Sequence, residues 1–215
     1  MADTPTHDRG AGEARPESAP SGSEAPQMAG LQAVTAALCE AALPVEVARV
    51  VANEMRAVLG ADQAAIAVLS EDGAELVMLG HFALDASVPR DYPRLPVDCD
   101  LPIAQAYRDD APVWIRSYAE FQARFPGAPP VVDERSQGGA CLPIRVHGKR
   151  LGALAFVFVA PREFDASERA LLDNLARNAG LALERAGLYE SERRARREAD
   201  VARERAAFLL DASDA

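Results

Sequence analysis

Lysine is almost missing from this chain: Lys149 is the only one among 23 basic residues. Cysteine is scarce too. Cys39, Cys99 and Cys141 are odd in number and widely scattered, which suits neither a disulfide framework nor a zinc site and fits a reducing, cytoplasmic setting. Long apolar runs are lacking. The longest, Leu151 to Ala160, is about half of what a membrane span needs, so no membrane partner is expected. No apolar run follows the amino terminus, and no secretory leader is expected. An excess of positive charge is lacking as well. A net charge of −10 is repelled by nucleic acid and by anionic lipid, which excludes both as natural partners of the core. The one glycine-rich stretch, "SQGGA" (Ser136 to Ala140), has no lysine and no helix after it, so it is no phosphate loop. "RRARRE" (Arg193 to Glu198) has acids before and after it and reads as a solvated helix face.

What is present begins with a change of composition. Residues 1–30 are Pro, Gly, Ser, Ala and acid with almost nothing apolar, the composition of a tail that cannot bury enough surface to fold. From Leu31 the pattern is helical, with Leu31, Val34, Leu38 and Ala41 on one face. Leu43-Pro44 starts a second helix whose face is Val47, Val50, Val51, Met55, Val58 and Leu59, stopped by Gly60. Two amphipathic helices in a row need a common surface to cover.

Two hairpins supply it. In the first, the alternating stretch around Ile66 and Val68 turns at Asp72-Gly73 and returns from Leu76 to Phe82. In the second, Leu142, Ile144 and Val146 face one way while Cys141, Pro143, Arg145 and His147 face the other. The turn is His147-Gly148-Lys149. Leu151 to Val159 is then apolar on both faces, which marks a central strand covered on both sides. Helices cover one face; the other falls to the middle of the chain, Ala83 to Gly139. That middle is irregular and Pro-rich, with short helices in "LPIAQAYRDD" and "YAEFQARF" and a short strand in "PVWI". A segment this long and irregular inside a domain is usually a lid or a pocket wall.

The last segment is a long helix. Asp165 with Glu168 forms a capping box, and the pattern runs unbroken to about Leu210. Such a helix is about 65 Å long and must project from a domain of this size. Its first part carries Leu172, Leu175, Ala179, Ala182 and Ala186 toward the core. Leu181, Leu188, Ala195, Ala202 and Leu209 recur every seven residues, with Ala199 and Ala206 completing a thin seam. The other faces are dense in Glu and Arg. A seam of this kind needs a partner, and a parallel homodimer through the terminal helices is the expected one.

The stretch "CLPIRVHGKRLGALAFVFVAPREFDASERALLDNLARNAGLALERAGLYE", Cys141 to Glu190, resembles the GAF domain family. The likeness lies in a strand with Leu-Pro-Ile, a Gly turn and a Gly-x-Leu strand, then Pro-Arg-x-Phe, a Glu-led helix and Ala-Leu-Glu-Arg-Ala-x-Leu-Tyr. The resemblance implies an α+β fold: an antiparallel sheet of about six strands flanked by helices, with a small-molecule pocket beneath the irregular middle and a long C-terminal exit helix. It places a domain at 31–189 and a helical linker at 190–215. It also implies a bacterial signalling module that sits before a histidine kinase, a diguanylate cyclase or a PPM-type phosphatase. "RERAAFLLDASDA" (Arg203 to Ala215) reads as the first helix of such a following module. The cyclic-nucleotide signature of some relatives is absent, since "REFDASE" only faintly resembles its tail. The cysteine context of bilin-binding relatives is missing around Cys99.

The expected ligand-binding residues are His81, Tyr107, Trp114, Phe121, Arg135, Ser136 and Cys141. Aromatics in the middle segment offer stacking area with polar tips, or else form a small core beneath the lid. Arg135 and Ser136 offer an anion or carbonyl partner. His81 faces the pocket or is a satisfied core histidine, and His147 reads as an exposed turn residue. Cys141 is either a pocket nucleophile or an inert strand residue. A reactive thiol needs a cation beside it, and Arg145, on the same strand face, is about 13 Å away. No second ligand stands at metal- or haem-binding spacing near either histidine, and no cofactor is named by the pattern. Three functions follow. The first is a sensor that binds a small molecule and relays its state through the exit helix. The second is an enzyme of the free methionine-R-sulfoxide reductase branch. The third is a ligand-free dimeriser. No catalytic motif is legible, so the expectation is a non-enzymatic module.

Overall fold

The computed structural model of the chain describes residues 24–82, 94–128 and 134–213. The tail expected over 1–30 falls mostly outside these residues. At its end the structure differs, because helix α1 (Glu24–Glu40) begins ahead of the Leu31 start read from the apolar face. Helix α2 (Pro44–Val50) follows after a short break, with proline in its first turn. The Glu46 carboxylate accepts the backbone N–H groups of Ala42 and Leu43 at 2.7 and 3.1 Å, which satisfies donors that the helix start would leave open. A single π-helical stretch, Val51–Met55, passes into α3 (Arg56–Leu59). Gly60 ends it at φ +63, the left-handed closure that glycine makes without a steric penalty.

Strands β1 (Gln63–Leu69), β2 (Glu75–Phe82), β3 (Arg94–Pro96), β4 (Val113–Ile115), β5 (Gly138–Val146) and β6 (Lys149–Phe158) form one six-stranded sheet in the order β3-β2-β1-β6-β5-β4. All five pairings are antiparallel. The two hairpins are those the sequence announces. In the first turn Asp72 accepts from Ser70 and from the Ala74 N–H, and Gly73 has φ +73. In the second, His147 and Gly148 both take positive φ, +49 and +77, between paired Val146 and Lys149. That is the two-residue turn whose twist suits a hairpin. Helices α4 (Pro102–Asp109) and α5 (Tyr118–Arg124) lie in the middle segment, one before β4 and one after it. Helix α6 (Ala166–Ser213) closes the described chain. Asp165 and Glu168 cap it reciprocally at 2.8 and 3.2 Å.

The sheet separates two apolar layers. On one face Ala64, Ile66, Leu142, Ile144, Leu154 and Phe156 pack against α1, α2, the π-helical stretch and α6. On the other, Ala67, Leu76, Cys141 and Ala153 meet α4, α5 and their connections. The change of face within β1, from Ile66 to Ala67, follows the period of two, and a bulge lies between the same two residues. Helix α6 holds Leu172, Leu175, Ala179, Ala182 and Ala186 in the first layer. Past Gly187 every described side chain on it is exposed. A helix of 48 residues is about 72 Å long, and among its described side chains the buried ones end at Ala186, so it runs well past the core. Leu181 and Leu188 on the expected seam are 49% and 68% exposed.

Candidate functional site

The face beneath the middle segment is built on small residues. Ala67, Cys141 and Ala153 form a floor on three adjoining strands, and Ile103, Ala104, Tyr107, Phe121 and Phe125 come down on it from α4 and α5. Leu101 caps α4 in an extended conformation, and Pro102 opens its first turn. Ser117 caps α5 by accepting the Glu120 N–H. Tyr118, Phe121 and Phe125 then stack in series at 6.1 and 5.7 Å. Side chains hold the irregular backbone where no ladder does. Arg108 donates to the carbonyls of Val97 and Cys99, Asp100 accepts the Gly127 N–H, and Arg124 donates to the Trp114 carbonyl. The last contact also covers the open edge of β4, which would otherwise offer a free backbone acceptor to another strand.

Of the residues expected to line a site, three converge here. Tyr107 and Phe121 are buried in this layer, and Cys141 lies on its floor. Trp114 does not join them. It alternates with buried Val113 and Ile115 on β4, so its ring falls on the opposite side of the sheet. There it lies 5.1 Å from the Phe164 ring, with the Arg169 guanidinium 5.1 Å above it. A groove of about 310 Å³ beside it is lined by Trp114, Arg116, Glu120 and Arg169 among others. Ser136 is buried just ahead of β5, whereas Arg135 next to it is exposed. His81 is paired with Ala65 in the β1–β2 ladder, and its side chain lies outside the described residues. His147 is an exposed turn residue, with Nδ1 3.4 Å from a Glu184 carboxylate oxygen on α6.

The chemistry available at the floor is limited by burial. Desolvation pushes the Cys141 thiol up to about 12, against a weak opposing pull from Arg124. The thiolate is the nucleophilic form, so at neutral pH this cysteine is an apolar neutral side chain. Burial also pushes the Cys99 thiol up, again against the pull of a cation, Arg108. Among the described residues no three His, Cys, Asp or Glu side chains are grouped to hold a metal ion, and no helix is long and apolar enough to cross a membrane. Sequence reasoning missed the arginines that matter to this face. Arg108, Arg124, Arg145 and Arg150 each donate to a backbone carbonyl of the middle segment.

Known structures share this architecture. The GAF domain of a phosphoenolpyruvate-protein phosphotransferase (ptsP) from Coxiella burnetii is 18% identical, with a TM-score of 0.65 over 77% of this chain and 96% of that one. Free methionine-R-sulfoxide reductase from Neisseria meningitidis, solved with its substrate, is 16% identical, with a TM-score of 0.63 over 79% and 95%. The second GAF domain of DevS from Mycobacterium smegmatis is 27% identical, with a TM-score of 0.51 over 70% and 98%. No curated protein matches the chain. The GAF domain family matches residues 41–184, about two thirds of the sequence. The chain belongs to the GAF domain family of signalling sensor and regulatory modules.

Proposed function

We propose that this chain is a cytoplasmic sensor module. A small molecule is taken up on the sheet face beneath α4 and α5, and two copies pair in parallel through their terminal helices. The state of the covered face passes along α6 to an output domain, a histidine kinase, a diguanylate cyclase or a PPM-type phosphatase. One observation supports this most strongly. A continuous helical layer closes one side of the sheet and ends in a helix that runs far past the core. Short elements and side-chain ties close the other. A ligand entering the loosely tied side moves few backbone hydrogen bonds, whereas the long helix can deliver a small rotation over tens of ångströms. In this reading the chain itself catalyses no reaction. The reductase alternative needs a thiolate, and burial pushes the Cys141 thiol up, which disfavours that form.

Sedimentation of the full chain beside a form ending at Tyr189 tests the pairing. Among the described side chains the buried contacts of α6 end at Ala186, so the shorter form is expected to keep its fold and to dimerise more weakly. Equal dimerisation of the two forms would remove the seam, and with it the relay.

A further inference from the structure

Arg145 and Arg150 are cross-strand partners just behind the β5–β6 turn, and both reach to the last turn of α4. Arg150 donates to the carbonyls of Tyr107 and Arg108 at 3.1 and 2.7 Å, with its guanidinium 5.1 Å above the Tyr107 ring. Arg145 donates to the carbonyl and a carboxylate oxygen of Asp110, each at 3.3 Å. The last carbonyls of a helix lack intrahelical donors and carry partial negative charge, so a pair of cations there holds the helix end. Asp110 sits in the left-handed region at φ +49, with its Oδ1 buried and without a hydrogen-bond partner among the described residues. The hairpin thus grips α4 by its end, beside the apolar contacts beneath it.

The same few residues touch the exit helix from the other side. A Cβ on Gly180 of α6 would lie 2.9 Å from Val146 Cγ2 and 3.2 Å from the Arg145 carbonyl oxygen, so helix and strand are in close contact at that point, beside a groove of about 400 Å³ between the hairpin tip and α6. One turn further along α6, Glu184 faces His147 at the hairpin tip. Residues 145–150 therefore contact α4 through two guanidinium groups and α6 through the Arg145 carbonyl and the Val146 and His147 side chains.

We propose that Arg145 and Arg150 are the positioning residues that couple α4 to the exit helix. When the C-terminal turn of α4 is displaced, the hairpin tip moves with it, and α6 shifts where Gly180 and Glu184 meet the hairpin. This rests on the sensor reading and assigns its relay to one structural element. Each tie alone is partly exposed and weak. Their joint placement on one helix end and one hairpin makes them act together.

Hydrogen exchange of the full chain, without added ligand, tests the coupling. In the Arg145→Ala/Arg150→Ala variant, amides of the last turn of α4 and of α6 around residues 177–190 are expected to exchange about tenfold faster together. An Arg94→Ala control breaks the Glu75–Arg94 pair at the far edge of the sheet and is expected to leave both segments unchanged. Faster exchange in α4 with α6 unchanged overturns the proposal, and so does an equal change in α6 in the control. If the double variant fails to fold, Asp110→Asn removes the carboxylate while keeping a residue that tolerates the left-handed region. The same linked pattern is then expected at smaller amplitude, and its absence overturns the coupling. Linked exchange in a chain that binds nothing would remove the sensor reading and leave the coupling. Ligand binding with unlinked exchange would do the reverse.

Discussion

Gly152 of β6 lies opposite Val68 of β1, so close that a Cβ on it would sit 2.0 Å from the Ala67 carbonyl oxygen and 2.8 Å from Val68 Cα. The bulge at Ile66–Ala67 stands beside this crossing, and only a residue without a side chain fits. Gly152→Ala is expected to cost about 3 kcal/mol, because the obstacle is backbone and cannot move aside as a side chain would. Gly187→Ala is the contrasting case. Nothing lies within 4 Å of a Cβ there, and alanine in a helix interior is expected to gain up to about 1 kcal/mol. Urea midpoints of the two variants, measured with unchanged slopes, decide both signs.

Burial of Cys141 sets a pH dependence. Its folded thiol is raised from the ordinary value of 9.0 to about 12, so the unfolded chain loses this proton first. The stabilisation is complete below pH 9 and is lost as pH rises from there through 12. It falls by about 1.4 kcal/mol per unit across that window. Cys141→Val keeps an apolar side chain of similar size and is expected to flatten this part of the stability curve. Alkylation provides a second readout. Exposed Cys39 reacts in the native chain, and Cys141 is expected to react only after unfolding.

Arg185 of α6 donates to the carbonyls of Leu38 and Ala41 at 2.6 and 3.1 Å, which joins the end of α1 to the exit helix. Those carbonyls lie where a helix carries unsatisfied acceptors and partial negative charge. Arg185→Ala is expected to lower stability by about 1 kcal/mol and to speed exchange of the α1 amides while the β5–β6 ladder keeps its protection. Unchanged α1 exchange would show that apolar packing alone holds that helix.

Much of the fold was legible because its signals are local. The capping box at Asp165, the Gly60 stop and the two hairpin turns each rest on a few neighbouring residues, and each appears where the sequence puts it. The start of α1 was not legible, since the residues before Leu31 carry no apolar face to mark it. Strand β3 was missed because three residues of Arg94–Pro96 give too short a pattern, and only pairing with Glu75–Val77 makes them a strand. At the candidate site, Tyr107, Trp114 and Phe121 share one segment of the sequence but not one face of the sheet. Alternation along "VWI" separates Trp114 from Val113 and Ile115, a period-of-two signal carried by the sequence itself. The arginine contacts were not legible at all. Arg150 meets the end of α4 across 42 residues of sequence, and nothing local records that closure.

Native mass spectrometry of the purified chain, beside its denatured mass, tests the central claim that a small molecule is held in a paired sensor. The expected result is a dimer carrying additional non-covalent mass that disappears on denaturation. A bare dimer would keep the helical seam and remove the ligand, and a bare monomer would contradict both.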